Sequence, residues 1–107
     1  MTGCAAITNA ILKTGPVSIC TSTDNNWFSY KKGTIISSCR IKAGSGHCYL
    51  LVGVNSVEGS WKFKNSWGTA WGENGFFRAR RIPRDTTNGY CGMCKYSQYQ
   101  TASWNDL

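Results

Sequence analysis

Long apolar runs are missing from this sequence of 107 residues. A membrane-spanning helix needs about 20 consecutive apolar residues, and no stretch comes near that length, so the sequence predicts a soluble chain with no membrane partner. Internal repeats and low-complexity tracts are also missing. The first residues, MTGCAAITNAILKTG, show neither a basic leader nor a small-residue cleavage pattern. They reveal no targeting signal, and Met1 fits either a true start or an internal methionine of a longer chain.

Acidic side chains are scarce as well. The chain has 5 Asp and Glu against 12 Lys and Arg, which gives a formal net charge of +7. Such an excess can indicate an acidic partner such as nucleic acid. The basic residues are spread along the chain instead of forming one block, which favours an ordinary solvated surface. We therefore expect no nucleic-acid partner.

Cysteine, by contrast, is abundant, with 6 residues in this short chain. A reduced cytosolic enzyme of this size usually carries fewer, so the number indicates an oxidising compartment and at least one disulfide. The number alone does not give the connectivity.

The apolar pattern predicts one domain, residues 1–107, in which a helix precedes antiparallel strands. In Cys4–Lys13 apolar side chains recur at three- and four-residue spacing, and Gly15-Pro16 ends the helix. Residues 23–26 are predicted to form a turn, residues 40–46 a loop and residues 100–107 a flexible tail. Strands are predicted at Val17–Thr21, Gly33–Ser37, His47–Asn55, Trp61–Asn65 and Gly75–Arg80. The fold class is α+β.

Two of these strands would bring the only histidine to an asparagine. If the hairpin turn is centred on Ser56, Tyr49 faces Phe63 and His47 faces Asn65. An amide oxygen bound to one imidazole nitrogen fixes the tautomer and leaves the other nitrogen free to exchange a proton with a nucleophile. Flanking aromatic rings would keep water from that hydrogen bond. The alternative is a histidine that a neighbour merely satisfies in a half-buried sheet.

The segments around this pair resemble the papain-like cysteine proteases. The stretch KNSWGTAWGENGFFR is similar to the family's active-site asparagine region and GHCYLLVGV to its histidine region, and TGPVSI, WFSYKKGTI and NGYCGM are similar to flanking segments in the same order. The resemblance runs from about Ile7 to Tyr99. It implies the barrel-like, β-rich C-terminal lobe of the papain-like fold with one short N-terminal helix. Gly46 is typical of the cathepsin B branch.

The resemblance also implies roles for individual residues. His47 would be the catalytic imidazole, and Asn65 would orient it. Trp67 would shield their hydrogen bond, and Trp71 would border the cleft. Substrate-subsite positions would be Cys20, Gly46, Cys48 and Tyr96, and Cys39 and Cys91 match a family disulfide. The implied partners are a peptide or protein substrate and a helical N-terminal lobe, with no metal and no cofactor. The implied location is lysosomal, vacuolar or extracellular.

The family's nucleophile is not evident in this sequence. Its signature, Cys-Gly-Ser/Ala-Cys-Trp/Tyr, lies about 130 to 150 residues before the His and Asn, whereas 46 residues precede His47. Cys20 and Cys48 are interpreted as small apolar core residues beside the subsite, not as nucleophiles. We therefore predict the His and Asn lobe of a cysteine-type endopeptidase that is inactive alone. The alternative is a non-catalytic scaffold or binding relative.

Readings from other classes fit less well. A zinc site from Cys39, Cys48, Cys91 and Cys94 would have eight intervening residues in its first pair, too many for the usual spacing. A redox Cys91-x-x-Cys94 lacks the strand-then-helix setting such pairs need. Basic residues are mixed with aromatics in 76–81 and could stack on and neutralise a nucleic-acid single strand, but an edge strand explains them better.

Overall fold

One helix and six strands make up the part of the chain that the structure, a computed structural model, describes, namely residues 3–95 and 100–101. Two short 3₁₀ helices, Asn25–Ser29 and Tyr90–Gly92, connect them. None of the described helices has the length and apolar character to span a membrane. In chain order the main elements are α1 (Gly3–Lys13), β1 (Val17–Asp24), β2 (Ile35–Ile36), β3 (Ile41–Asn55), β4 (Ser60–Lys64), β5 (Phe76–Arg80) and β6 (Gln100–Thr101).

The six strands form one sheet in the order β2-β5-β4-β3-β1-β6. Every neighbouring pair is antiparallel except β2 and β5, which run parallel. The predicted α+β class, with one short helix and a β-rich sheet, is confirmed. No pattern in the sequence predicted the parallel edge pair, because β2 is only two residues long.

Helix α1 closes one side of the core. Cys4, Ile7 and Ile11 lie on one helical face and are buried, and the helix packs against β3 and β1. It ends where Gly15 adopts a φ of 147° and Pro16, which cannot continue a helix, follows. The spacing of apolar residues that predicted this helix is therefore the spacing that buries it.

Aromatic rings fill the centre of the core. Trp27, Phe63 and Phe77 are fully buried, and the Phe63 and Phe77 rings stack with centroids 4.9 Å apart. Burying each such side chain contributes roughly 1.5–3 kcal/mol to folding. Because β4 and β5 alternate buried and exposed side chains, Lys62 and Arg78 lie on the opposite face of the sheet.

Four of the predicted boundaries are wrong. Residues 41–46, predicted as part of a loop, belong to β3 and pair with β1, as in Ser22↔Gly46. Their Gly- and Ser-rich composition is typical of loops, but the ladder with β1 overrides that preference. The predicted strand Gly33–Ser37 shrinks to β2, and the predicted turn at 23–26 divides between the end of β1 and a 3₁₀ helix. Of the predicted tail, residues 100–101 pair with β1, and residues 102–107 lie outside the described residues.

The predicted register of the central hairpin is also wrong. Phe63 pairs with Leu51 instead of Tyr49, and Trp61 pairs with Val54. The turn lies later than Ser56, and a bulge between Leu51 and Gly53 adds one residue to β3. Near the site the net shift is two residues, and an even shift leaves every side chain on the same face of the sheet.

Three disulfides tie the chain together. They join Cys4 to Cys94, Cys20 to Cys48 and Cys39 to Cys91. The first connects α1 to the segment after the second 3₁₀ helix, the second crosses β1 and β3, and the third is the pair named from the resemblance. With sequence separations of 90, 28 and 52 residues, they restrict the unfolded chain, an effect worth about 2–4 kcal/mol each.

A carboxylate–guanidinium clamp closes the loop between β4 and β5. Arg78 donates from Nε and Nη2 to the two carboxylate oxygens of Glu73, at 2.8 and 2.9 Å, and Glu73 also accepts from the Gly33 backbone N–H at 2.9 Å. The hydrogen bonds from Arg78 lower the pKa of the Glu73 carboxyl below its ordinary value of 4.5. The loop held in this way carries Trp67 and Trp71.

We predict that Glu73→Gln removes part of the acid sensitivity of folding. Because the folded-state pKa of Glu73 is below its ordinary value, its stabilising effect is present at neutral pH and is lost as the pH falls through the folded pKa. Thermal unfolding followed by circular dichroism should show the variant less stable than the wild type at pH 7, and this difference should disappear once the pH is below the folded-state pKa of Glu73. Glu58→Gln, which removes a single contact to Arg78, is the matched control and should cost less. A stability difference between Glu73→Gln and wild type that stays constant as the pH falls through the acid range would contradict this role.

Candidate active site

The central hairpin brings His47 and Asn65 together. His47 lies on β3, opposite Thr21 of β1, and Asn65 directly follows the last residue of β4. The His47 Nε2 and Asn65 Oδ1 atoms are 2.7 Å apart, which is a short, well-formed hydrogen bond. The two residues singled out from the sequence therefore meet, although by a different register from the predicted one.

The direction of this hydrogen bond is fixed by its surroundings. Asn65 Oδ1 also accepts from the Ser66 backbone N–H at 2.8 Å, so the oxygen, and not the amide nitrogen, must point this way. An amide oxygen can only accept, and Nε2 of His47 is therefore the donor. This leaves Nδ1 as the basic nitrogen, and within the described residues no side chain bonds to it.

Asn65 is itself held rigidly. The residue is 5% exposed, and its backbone N–H donates to the Gly75 carbonyl at 3.0 Å, which closes the β4–β5 loop at its base. Its Nδ2 atom is buried and has no partner among the described residues. A buried unpaired donor costs about 1–3 kcal/mol. The side chain of Asn65 is therefore placed to bond His47 through its oxygen, although this leaves its amide nitrogen without a hydrogen bond.

Aromatic rings surround the pair. The His47 ring lies 5.6 Å from Trp67, 5.3 Å from Trp27 and 6.2 Å from Tyr49, between ring centroids. The Trp67 indole thus lies beside the imidazole, in a position where it could shield the hydrogen bond. Desolvation strengthens a hydrogen bond that water would otherwise compete for. Burial also raises the pKa of Tyr49, whose hydroxyl stays neutral and pairs with Thr21 at 2.8 Å.

Trp71 packs against Trp67, one of the rings that surround the pair. Its ring is 5.4 Å from that of Trp67, and its Nε1–H donates to the Trp27 carbonyl at 2.8 Å. Phe28, which is 61% exposed, packs on the outer side of Trp67 with ring centroids 5.3 Å apart. The Lys42 ammonium lies 5.2 Å from the Phe28 ring centroid, an arrangement typical of a cation–π contact.

The predicted subsite residues in the described part of the chain are exposed, not buried as core residues would be. Cys20 and Cys48 face each other across β1 and β3, are exposed and form a disulfide. The interpretation of both as small apolar core residues is wrong, because their side chains point away from the core that Ile19 and Tyr49 enter. Gly46 is exposed on β3. Tyr96 lies outside the described residues.

The disulfides also decide two of the alternatives. The sulfurs of Cys39 and Cys91 lie close to a carboxylate oxygen of Asp24, within 4.8 Å, but they are bonded to each other and offer no thiolate to a metal. Cys94 pairs with Cys4 and not with Cys91. The zinc reading and the redox reading of Cys91-x-x-Cys94 are therefore wrong.

Sequence reasoning missed two contributors to the site. Trp27 is fully buried directly against the imidazole, and Phe28 covers Trp67 from solvent. Both lie in the 3₁₀ helix Asn25–Ser29, whose position next to β3 depends on tertiary structure. The only available signal was the aromatic pair in WFSYKKGTI, which the resemblance used as a flanking segment.

Comparison with known proteins points in one direction. The family model described as papain family cysteine protease matches residues 2–101. The chain is 37% identical over 85% of its length to cysteine proteinase 3 of Entamoeba histolytica, of which it covers 30%, and 33% identical over 82% of its length to cathepsin B of Dictyostelium discoideum, of which it covers 26%. A solved Carica candamarcensis cysteine protease, CMS1MS2 in complex with E-64, superposes with a TM-score of 0.68 at 28% identity, over 92% of this chain and 44% of that one. The chain thus spans less than half the length of each of these relatives.

We predict that His47 shows a single tautomer, protonated at Nε2, at a pH where the ring is neutral. Since the chain has one histidine, nitrogen-15 NMR of histidine-labelled protein reports this ring without overlap. Asn65→Ala removes the acceptor, and the ring signals should then become those of a mixture of tautomers. Lys64→Ala, an exposed neighbour, should leave the signals unchanged. A single Nε2–H tautomer that persists in Asn65→Ala would show that this hydrogen bond does not set it.

Proposed function

Because this chain belongs to the papain family of cysteine proteases, we propose that it is the lobe of a cysteine-type endopeptidase that supplies His47 and Asn65. The observation that carries the proposal is the 2.7 Å bond between His47 Nε2 and Asn65 Oδ1. It orients the imidazole and leaves Nδ1 as the only ring atom able to take a proton. The cysteine nucleophile is contributed by a polypeptide segment other than residues 1–107.

The state of the cysteines supports this division of labour. All 6 are engaged in three disulfides, so the folded chain offers no thiol. A nucleophilic cysteine must reach the thiolate form beside a positive group. The only imidazole of the chain has no sulfur partner among the described residues, and it is half-buried, which leaves one side open to another lobe.

The mechanism follows from the orientation of His47. When a cysteine of the second lobe approaches Nδ1, the imidazole takes the thiol proton and the resulting thiolate attacks the peptide carbonyl carbon. His47 then returns the proton to the leaving amine, which breaks the C–N bond and leaves an acyl thioester. In the second half, His47 takes a proton from water, and the hydroxide attacks the thioester carbonyl carbon. The C–S bond breaks, the acid product leaves, and the cysteine thiolate forms again beside the protonated His47. Asn65 holds the same tautomer through both halves, as the orienting carboxylate does in serine hydrolases.

The partners and the surroundings are part of the same proposal. The substrate is a peptide or protein, and the second partner is the helical lobe that carries the nucleophile. Trp71 borders the cleft, and the exposed Cys20–Cys48 disulfide with Gly46 lines a substrate subsite. Three disulfides favour an oxidising compartment, and we place the protein in a lysosome, a vacuole or the extracellular space.

The decisive experiment combines this chain with a lobe that carries Cys-Gly-Ser-Cys-Trp, taken from the segment that precedes the matching region in the relatives. The chain alone should not react with a thiol-directed epoxide. The two lobes together should hydrolyse a fluorogenic peptide and take up the epoxide on the second lobe's cysteine. His47→Ala should lower kcat/KM of the pair by about 10²–10⁴-fold, the usual contribution of a general acid–base group.

Lys64→Ala serves again as the control, because it changes an exposed residue of β4 next to Asn65 without touching the site. Its kcat/KM should match the wild type. A folded, stable complex without hydrolysis or epoxide labelling would reject the peptidase lobe and leave the non-catalytic scaffold. Labelling of the chain alone would instead place the nucleophile within it.

A further inference from the structure

A carboxylate is buried beneath the active site without a basic partner. Asp24, at the end of β1, is fully buried, and within the described residues no basic side chain pairs with it. Its Oδ1 accepts from the backbone N–H groups of Asn26, at 2.9 Å, and Arg40, at 3.0 Å. The first contact caps the 3₁₀ helix Asn25–Ser29. A buried carboxylate is costly unless hydrogen bonds compensate for lost water, so such a group in a small lobe calls for an explanation.

Its second oxygen leads towards the site. Asp24 Oδ2 accepts a hydrogen bond from the Tyr90 hydroxyl, and the Tyr90 hydroxyl in turn accepts from the Trp27 indole Nε1–H at 2.8 Å. Burial and the bond to Asp24 raise the pKa of Tyr90, so its hydroxyl remains a neutral donor. Tyr90 is 6% exposed and Trp27 is fully buried. In such a dry site consecutive hydrogen bonds polarise and strengthen one another.

The hydrogen-bonded series Asp24–Tyr90–Trp27 ends at a contact with the His47 ring. The Trp27 indole meets His47 edge-on, with centroids 5.3 Å apart and planes at 63°, and it also meets Trp67 at 6.1 Å and 85°. Asn65 holds the imidazole at one atom, Nε2, and a ring held at a single atom can still turn about that contact. The edge-on contact with the indole limits a turn of the ring in that direction.

We propose that Asp24 and Tyr90 are positioning residues that lock the Trp27 indole as the second support of His47, so that the imidazole is held at a nitrogen and along an edge. This inference rests on the proposed function for its catalytic meaning, but not for its test. Asn65 selects which nitrogen is basic, and the Asp24–Tyr90–Trp27 series determines where that nitrogen points. A pointing error of one ångström at a reacting group can cost about 10²-fold in rate.

The test uses this chain as it is, because its one histidine gives isolated NMR signals. Tyr90→Phe removes the hydroxyl that joins Asp24 to Trp27. Asp24→Asn keeps an oxygen for the two backbone N–H groups but places an N–H₂ group against Tyr90, which can then no longer donate. In both variants the carbon-bound ring protons of His47 should shift towards the positions of free histidine, as ring-current displacement by Trp27 is lost. The single Nε2–H tautomer should persist, since Asn65 is unchanged.

Tyr30→Phe is the matched control. The Tyr30 hydroxyl is also hydrogen-bonded, to the Thr34 carbonyl and the Arg78 N–H, and its ring packs on the same aromatic core through Phe77. It loses a hydroxyl without touching Trp27, and its His47 ring protons should stay at the wild-type positions. Shifts in Tyr90→Phe and Asp24→Asn no larger than in Tyr30→Phe would overturn the proposal and leave a merely structural network.

A measurement on the unaltered chain covers the case in which a variant does not fold. Guanidinium chloride is added at concentrations below the unfolding transition. The solvent exchange of the Trp27 indole N–H and the loss of the His47 ring-current shift should then depend on the denaturant concentration in the same way, because both report one cooperative local opening. If the chemical shifts of the His47 ring protons stay constant while the Trp27 indole N–H exchanges with solvent, the proposal is also overturned. Neither readout involves a nucleophile, so failure of the peptidase proposal would appear only in the two-lobe assay.

Discussion

The antiparallel pairing of β3 with β4 is the constraint on which the site depends. Side chains alternate between the two faces of a strand, so His47 reaches Asn65 only if the two strands pair in the correct parity. The bulge between Leu51 and Gly53 corrects that parity, because the turn end of the hairpin is offset by an odd number of residues relative to the site end. Without the extra residue, the register of the turn end would continue to the site end and turn His47 away from the core.

The sequence predicted the residues of the site more accurately than the strand pairing that brings them together. The run from Asn65 to Gly75 and the segment after Gly46 identified the two polar residues and Trp67, because these residue types appear together for a chemical reason. The register was wrong because it depends on a bulge, and a bulge leaves no mark in the alternation of LLVGV. Asp24 and Tyr90 escaped notice because their meeting, 66 residues apart in sequence, is a product of tertiary packing.

Predictions made from residue type were wrong where the pairing of strands decided the structure. Residues 41–46 are mostly exposed and carry no apolar alternation, yet they extend β3 because β1 offers them a ladder. Cys20 and Cys48 were assigned to the core by residue type alone, although successive residues of a strand lie on opposite faces and His47 already occupies the inner one. In the first case the neighbour across the sheet, which the sequence does not display, decided the outcome; in the second it was the alternation of faces along the strand.

The placement of the disulfides has a consequence for how the lobe tolerates damage by proteolysis. Val57, at the tip of the hairpin, is 98% exposed, and a cut there would leave His47 and Asn65 on different fragments. The bridges from Cys4 to Cys94 and from Cys39 to Cys91 both span that point, so the fragments would stay covalently joined and the strands in register. A lobe exposed to peptidases can in this way lose the continuity of its backbone and keep its imidazole and carboxamide in contact.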